Sequence, residues 1–216
     1  MIKRVFDIVF SLFGIAVLAP VMIVCGLLIR LSSRGPIFFR QERVGVKFRP
    51  FRILKFRSMV VGAPKLGAQV TVRGDARVTT IGRLLRKTKL DELPQLFNVL
   101  LGDMSFVGPR PEVPEYVNLF KTDYEELLRV RPGITGIASI TYRDEEGLLA
   151  AASDPKQAYI SEVLPEKIRL GKLYVDRQSI MLDVRLIIMT LLKIVGVEPK
   201  LPDLPILESK QQDQTS

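Results

Sequence analysis

The longest uncharged apolar run in the chain extends from Ile8 to Ile29. It is long enough to cross the hydrocarbon of a bilayer. Two features argue against a simple span. Pro20 lies inside the run and removes an internal hydrogen bond, which kinks a helix. Lys3 and Arg4 precede the run, and Arg30 and Arg34 follow it. The preference for cations on the cytoplasmic side then places both flanks there. A kinked helix that enters and returns through one leaflet satisfies both facts. No small-residue cleavage pattern of a secretory signal is present.

Gly35-Pro36 closes this segment. Residues 37–57 then alternate in the manner of strands and predict a β-hairpin turning at Gly45. Arg40, Arg43, Lys47, Arg49, Arg52, Lys55 and Arg57 are spread over it. Most are expected in water or at lipid headgroups, with Lys55 and Arg57 as the candidate site residues. Gly62, Pro64, Gly67 and Gly74 predict a loop over 60–75. A short amphipathic helix follows from Ile81 to Lys87. Asp91 and Glu92 then stand at the start of a helix that runs to Leu101 and stops at Gly102. Leu93, Leu96, Phe97 and Leu100 fall on one face of it at helical spacing.

Arg110 lies between Pro109 and Pro111, in a stiff extended segment. Such a segment can offer a guanidinium fork to phosphate at little ordering cost. Glu112 to Arg129 reads as a charged helix. Arg131-Pro132-Gly133-Ile134-Thr135-Gly136 reads as a tight loop able to bring backbone N–H groups close to a ligand. Residues 143–154 read as a polar loop beginning at Arg143. Lys156–Arg177 and Ser179–Val195 read as two helices. The second is apolar on much of its surface and fits either the membrane interface or a core. Residues 199–216 are rich in Pro, Gln and Asp and predict a mobile tail.

The fold class expected is α+β, mostly helical with a small β-hairpin or sheet, an N-terminal re-entrant membrane helix and amphipathic interfacial helices. Its parts are the membrane helix (1–34), a cytosolic catalytic domain on the membrane surface (35–198) and the tail (199–216). With no further membrane bundle or second catalytic domain, the chain reads as a minimal single-function version.

Charge narrows the partners. The 216 residues carry a net charge of +9, which suits nucleic acid, anionic lipid or a phosphorylated substrate. There is no histidine, which removes the commonest general base. Cys25 is the single cysteine, so neither an intrachain disulfide nor a Cys-His site can form. A nucleophile or base therefore comes from carboxylate, Ser, Thr, Tyr or Lys. At a helix start, Asp91 and Glu92 can converge on a hard cation such as Mg²⁺. Free N–H groups make the same place an anion site. Together they suggest phosphoryl transfer, although a capped helix with no chemistry reads the same from these residues alone. The other reading is a non-catalytic membrane-anchored binder of RNA or acidic lipid. That would bind nucleic acid with strong salt dependence. The scattered aromatic residues offer no stacking platform, so nucleic acid is not an expected partner.

Five motifs in this order resemble the monotopic phosphoglycosyl transferases, a bacterial sugar transferase family, over about residues 1–196. They are Lys55-Phe56-Arg57-Ser58-Met59, Asp75-Ala76-Arg77-Val78-Thr79, Leu90-Asp91-Glu92-Leu93-Pro94-Gln95, Gly102-Asp103-Met104-Ser105-Phe106-Val107-Gly108-Pro109-Arg110-Pro111 and Arg131-Pro132-Gly133-Ile134-Thr135-Gly136. The resemblance implies transfer of a sugar-1-phosphate from a nucleotide diphosphate sugar, usually a UDP-sugar, to polyprenyl phosphate, starting surface glycan assembly. By that likeness Asp91 is the catalytic nucleophile, and Glu92 positions Mg²⁺ or handles a proton. Lys55, Arg57, Arg77, Arg86, Lys89 and Arg110 would bind substrate, and Arg143 would face the nucleotide. The likeness also implies a monotopic protein on the cytosolic face of the bacterial inner membrane, for which a homodimer is plausible. Two departures stand out. The family's usual Ser before the helix-breaking Pro is Ala19 here. Its Ala-Gln-Val-Asn-Gly-Arg run is Ala138-Ser139-Ile140-Thr141-Tyr142-Arg143, so the likeness does not extend to sugar or base preference.

Overall fold

The computed structural model describes residues 2–63, 66–67 and 70–197. The expected tail at 199–216 lies outside them. The described chain is α+β and mostly helical, with two separate two-stranded sheets.

Helix α1 (Ile2–Ser32) starts earlier than the uncharged run, at the flanking cations, and continues through Pro20. Its inner stripe is polar at one end and apolar at the other. Asp7 and Ser11 are buried near the start, and Cys25, Gly26 and Ile29 near the end. The outer face is apolar and exposed, from Val5, Val9 and Phe13 to Val24, Leu27 and Leu31. Both ends are held by the same body. Arg4 donates to the carbonyls of Val99 and Leu100 at 2.6 and 2.7 Å. Asp7 accepts from Ser105 Oγ at 3.0 Å and from the Phe106 amide at 3.1 Å. At the far end Arg57 donates to the carbonyls of Arg34 and Ser33 at 3.0 and 2.9 Å, and to Ser33 Oγ at 2.8 Å. Pro20 thus lies within a helix whose two ends are both docked on the same body.

Strands β1 (Phe38–Val44) and β2 (Pro50–Phe56) form the expected antiparallel hairpin, with Phe38 opposite Phe56 and Val44 opposite Pro50. Alternation along β2 puts Phe51, Ile53 and Lys55 on one face. That face packs on Val99 and Met104, so Lys55 is delivered inward while its neighbour Arg52 stays exposed. Phe56 joins Cys25, Ile29 and Leu85 in a second cluster under α1. Arg43 departs from the expectation of a solvated cation. It is packed inward and donates to the Pro111 carbonyl, Gln41 and Glu112.

Helix α2 (Thr80–Thr88) is capped by Thr79, whose side chain accepts from the Gly82 amide at 2.9 Å. It ends where Lys89 takes a left-handed φ of 60°. The helix expected from Asp91 begins later. Leu90–Glu92 is a 3₁₀ turn, and α3 covers Gln95–Leu101, closed by Gly102 at φ 96°. The amides of Glu92, Leu93, Leu96 and Phe97 are bonded to carbonyls three residues back. Asp91 makes no cap, and the expected N–H cradle for an anion is largely closed. The expected apolar stripe is also altered: Phe97 is exposed, whereas the polar Gln95 and Asn98 are buried with Leu96 and Val99. Asn98 earns its place by bonding the β2 edge, accepting from the Leu54 amide and donating to the Arg52 carbonyl, both at 2.9 Å.

The expected tight loop at 131–136 contains a strand instead. Strand β3 (Ser105–Val107) pairs in parallel with β4 (Gly133–Thr135). A Cβ on Gly108 would lie 2.4 Å from the Arg131 carbonyl oxygen, and one on Gly133 would lie 2.1 Å from the Gly108 nitrogen. These glycines permit two backbones to touch, and the Gly133 amide is spent on the Pro109 carbonyl at 2.9 Å. The segment carrying Arg110 is fixed by this contact.

The helix expected over 112–129 is two, α4 (Pro114–Leu119) and α5 (Lys121–Leu127), parted at Phe120. Helix α6 (Ile137–Thr141) was not anticipated, and the polar loop at 143–154 holds α7 (Glu145–Ala150). Residues 155–177 are helical as expected, as α8 (Pro155–Ala158), a π turn (Tyr159–Val163) and α9 (Leu164–Arg177). Helix α10 (Ile180–Ile194) is capped by Ser179. Its Leu186 and Met189 join the core with Tyr174, while Met181, Ile188, Leu191 and the following Val195 are exposed.

Candidate active site

Three elements converge on the acidic turn. The 3₁₀ turn supplies Asp91 and Glu92, β2 supplies Lys55, and the segment after β3 supplies Arg110. Lys55 Nζ donates to Glu92 Oε1 at 2.9 Å. Arg110 donates to the same oxygen at 2.5 Å and to Oε2 at 3.4 Å. Burial alone would raise the Glu92 carboxyl, but Arg110 and Lys55 outweigh it and hold Glu92 well below the usual carboxylate range. Glu92 is therefore ionised and saturated with cations. Burial in turn lowers Lys55, opposed by Glu92. Arg110 is raised by its charge contact with Glu92. It keeps 29% of its side-chain surface accessible, enough to meet a second anion.

Asp91 is in a different state. It is buried, and its Oδ1 has no hydrogen-bond partner. Burial pushes its carboxyl up, and the adjacent Glu92 pushes it further. Lys55, Arg86 and Lys89 pull the other way. Two neighbouring carboxylates are thus driven apart by their surroundings, one fixed as an anion and one poised and unpartnered, a pattern common at reacting sites.

Not every expected residue joins them. Lys89 and Arg86 lie close enough for their charge to act on Asp91, and Arg86 is also paired with Glu146. Arg57 is turned away, onto Ser33 and Arg34, as a clamp on the end of α1. Arg77 pairs with Asp75 at 2.6 Å and donates to the Ala63 and Val70 carbonyls, organising its own loop. Arg143 sits in the turn between α6 and α7. Its neighbours Glu145 and Glu146 pair with Lys167 and Arg86, which ties that turn to the site.

Sequence reading missed the layer behind Arg110. Glu112 is buried and accepts from Tyr159 Oη at 2.6 Å, with Lys167 at 3.5 Å and Arg43 at 3.4 Å. Burial would raise its carboxyl, but Lys167 and Arg43 hold it below the usual range. The one available signal was Glu112 following the Pro-Arg-Pro segment. Its partners Tyr159 and Lys167 lie about fifty residues away and left no local mark.

Among the described residues no group of three or more Asp, Glu or Cys converges as a ready-made metal cage. The donor chemistry still suits Mg²⁺. That ion takes one or two carboxylates and draws its other oxygens from substrate phosphates and water. The orphaned Asp91 Oδ1 is a free hard ligand. Glu92 Oε1 is engaged by Lys55 and Arg110, so Asp91 Oδ1 is the more open of the two carboxylates.

The profile of the bacterial sugar transferase family matches residues 1–197. Among curated proteins, the chain is 41% identical over 193 residues to UDP-N-acetylgalactosamine-undecaprenyl-phosphate N-acetylgalactosaminephosphotransferase of Aeromonas hydrophila, covering 88% of this chain and 43% of that protein. It is 36% identical over 198 residues to UDP-glucose:undecaprenyl-phosphate glucose-1-phosphate transferase of Escherichia coli strain K12, covering 89% of this chain and 40% of that protein. It is 39% identical over 194 residues to the exopolysaccharide production protein PSS of Rhizobium leguminosarum bv. phaseoli, covering 86% and 91%. The chain thus spans less than half the length of the first two relatives and nearly all of the third. With the profile covering the helix, the hairpin and the acidic turn alike, the chain belongs to the bacterial sugar transferase family.

Proposed function

We propose that this protein transfers a sugar-1-phosphate from a UDP-sugar to polyprenyl phosphate at a membrane surface, with Asp91 as nucleophile. The observation that carries the reading is the contrast within the acidic pair. Glu92 is consumed by Lys55 and Arg110, whereas Asp91 is buried with an oxygen that bonds to nothing. The names of the relatives support the donor and acceptor classes.

In the first step an Asp91 oxygen attacks the phosphorus next to the sugar. The bond from that phosphorus to the bridging oxygen breaks, and UMP leaves with the electron pair. In the second step a phosphate oxygen of the acceptor attacks the same phosphorus, and Asp91 departs as carboxylate. The products are polyprenyl diphosphate-sugar and UMP, formed in a ping-pong sequence. Arg110 and Lys89 offset the charge of the diphosphate, the principal contribution in phosphoryl transfer. Glu92 holds Arg110 and Lys55 in register for that task. Mg²⁺, held by Asp91 and the donor's phosphates, would supply further neutralisation of the diphosphate charge.

The outward apolar face of α1 and the exposed apolar side chains of α10 support burial in one leaflet. With both ends of α1 bonded to the same body, the protein sits on the cytosolic face of the inner membrane without crossing it. A label at residue 2 that reacts only from outside intact cells would contradict that placement. For the chemistry, Asp91→Asn is expected to abolish UMP release from UDP-sugar. Full turnover by that variant would refute the role of Asp91.

A further inference from the structure

Asp91 is not the only buried group left without a partner. One helical turn later, Gln95 is 1% exposed, and neither its Nε2 nor its Oε1 has a hydrogen-bond partner among the described residues. Three of the six buried side-chain atoms in that condition belong to these two residues. Leu93 and Pro94 both have right-handed helical dihedrals, so Gln95 follows Asp91 by little more than one turn of the same run.

A wholly buried carboxamide with both ends unbonded is costly, and native chains rarely keep one without a reason. Asn98, one turn further on, shows the ordinary solution, with both ends of its amide bonded to β2. Gln95 has no such use in the fold. A core position tolerates Leu or Met at similar volume without the cost. Its uncommitted N–H₂ group is a neutral donor pair about one turn along the chain from the carboxylate that would carry phosphorus. Lys55 and Arg110 are shared with Glu92, so a donor with no other partner adds to what they supply.

We infer that Gln95 is a substrate-contacting residue of this site, its carboxamide N–H₂ donating to a non-bridging oxygen of the phosphoryl group that Asp91 attacks. The inference rests on the proposed nucleophilic role of Asp91. Gln95 forms and breaks no covalent bond. It orients the phosphoryl group and meets the charge that grows on its oxygens during attack, as a preorganised donor does.

The test uses the full chain in lipid nanodiscs, with UDP-sugar, Mg²⁺ and no acceptor, and reads the single-turnover burst of UMP at saturating donor. Gln95→Leu and Gln95→Met are expected to melt at or above the wild-type temperature, since each removes an unpaired polar group. Their burst rates are expected to fall at least tenfold at saturating donor. A burst within twofold of wild type in either variant would overturn the inference. So would a loss of activity that merely follows a lowered melting temperature in both variants, because Gln95 would then be a structural amide. Asp91→Asn serves as the separating control. If it retains the burst, the underlying mechanism fails. If it is silent while the Gln95 variants keep full rate, only this inference fails.

Discussion

Arg110 donates to Glu92 Oε1 at 2.5 Å from a segment held rigid by Pro109 and Pro111, and Lys55 donates to the same oxygen from β2. One carboxylate oxygen thus joins the strand hairpin to the segment that follows β3. Arg110→Ala leaves Glu92 buried with a single cation. Breaking a wholly buried pair costs about 3–5 kcal/mol. Because Arg110 is partly exposed, about 2 kcal/mol is expected here. UMP release should fall by roughly a hundredfold, the usual effect of removing one charge-stabilising donor. Arg110→Lys should lie between, since it restores charge without the fork. Denaturant melts and steady-state rates on the same preparations check both parts.

The acid limb of the rate profile should report Asp91. Its carboxyl is raised by burial and by Glu92, with Lys55 the largest opposing influence. A carboxylate nucleophile works only when ionised, so the rate falls as pH drops through that raised value. Lys55→Met removes the opposing charge, and the limb should shift to higher pH. A profile of UMP release against pH in which the limb stays or moves down would contradict the assignment.

The two carboxylates have opposite signs in stability. Glu92 is held low despite burial, so its contribution is present above the ordinary glutamate value of about 4.3 and is lost as pH falls through its folded pKa. Asp91 is raised, so its contribution is present below the ordinary aspartate value and is lost as pH rises through its folded pKa. At neutral pH, above the ordinary aspartate value, Asp91 burdens the fold. Asp91→Asn should therefore melt at or above the wild-type temperature while being inactive. A melting temperature several degrees lower would show that the carboxylate has a structural partner.

Arg57 is expected to matter for α1 and much less for chemistry. Its guanidinium makes three bonds to Ser33 and Arg34. Arg57→Ala should cost about 2–4 kcal/mol, given charged donors at about 1.5–3 kcal/mol each in the best case. Limited proteolysis near Gly35 should speed up accordingly. Membrane-extracted variant that keeps wild-type donor affinity would match the clamp role.

Gly82 sets how closely α2 approaches the chain after β2. A Cβ there would lie 1.9 Å from the Ser58 carbonyl oxygen, which also accepts from the Thr79 amide at 3.0 Å. Gly82→Ala should destabilise by about 1–3 kcal/mol, the range for overpacking, despite the better helix propensity of alanine. Thermal melts decide it, and a stabilised variant would contradict the contact.

Much of this was legible in the sequence where a local period carried it. The hairpin follows alternation, and α2, α9 and α10 follow helical spacing. The acidic pair and Arg110 were singled out by charge and proline context. What was not legible depended on partners distant in the chain. Leu90–Glu92 becomes a 3₁₀ turn after Lys89 turns left-handed, which no local propensity for lysine favours. Gly133 reads as part of a ligand loop, yet with Gly108 it serves contact between β3 and β4. Arg57 and Arg110 look alike as cations beside motifs, and only the fold sends one to α1 and the other to Glu92. Gln95 and Asn98 lie off the expected apolar stripe, and only the fold shows them buried.

The proposed mechanism stands or falls on whether Asp91 carries the sugar phosphate between the two half-reactions. Incubating the protein with UDP-sugar and Mg²⁺ without acceptor, then mapping peptides by mass, tests it directly. The account predicts a phosphosugar adduct on the peptide containing Asp91, discharged when polyprenyl phosphate is added. An unmodified Asp91 in a preparation that forms product on addition of acceptor would contradict it.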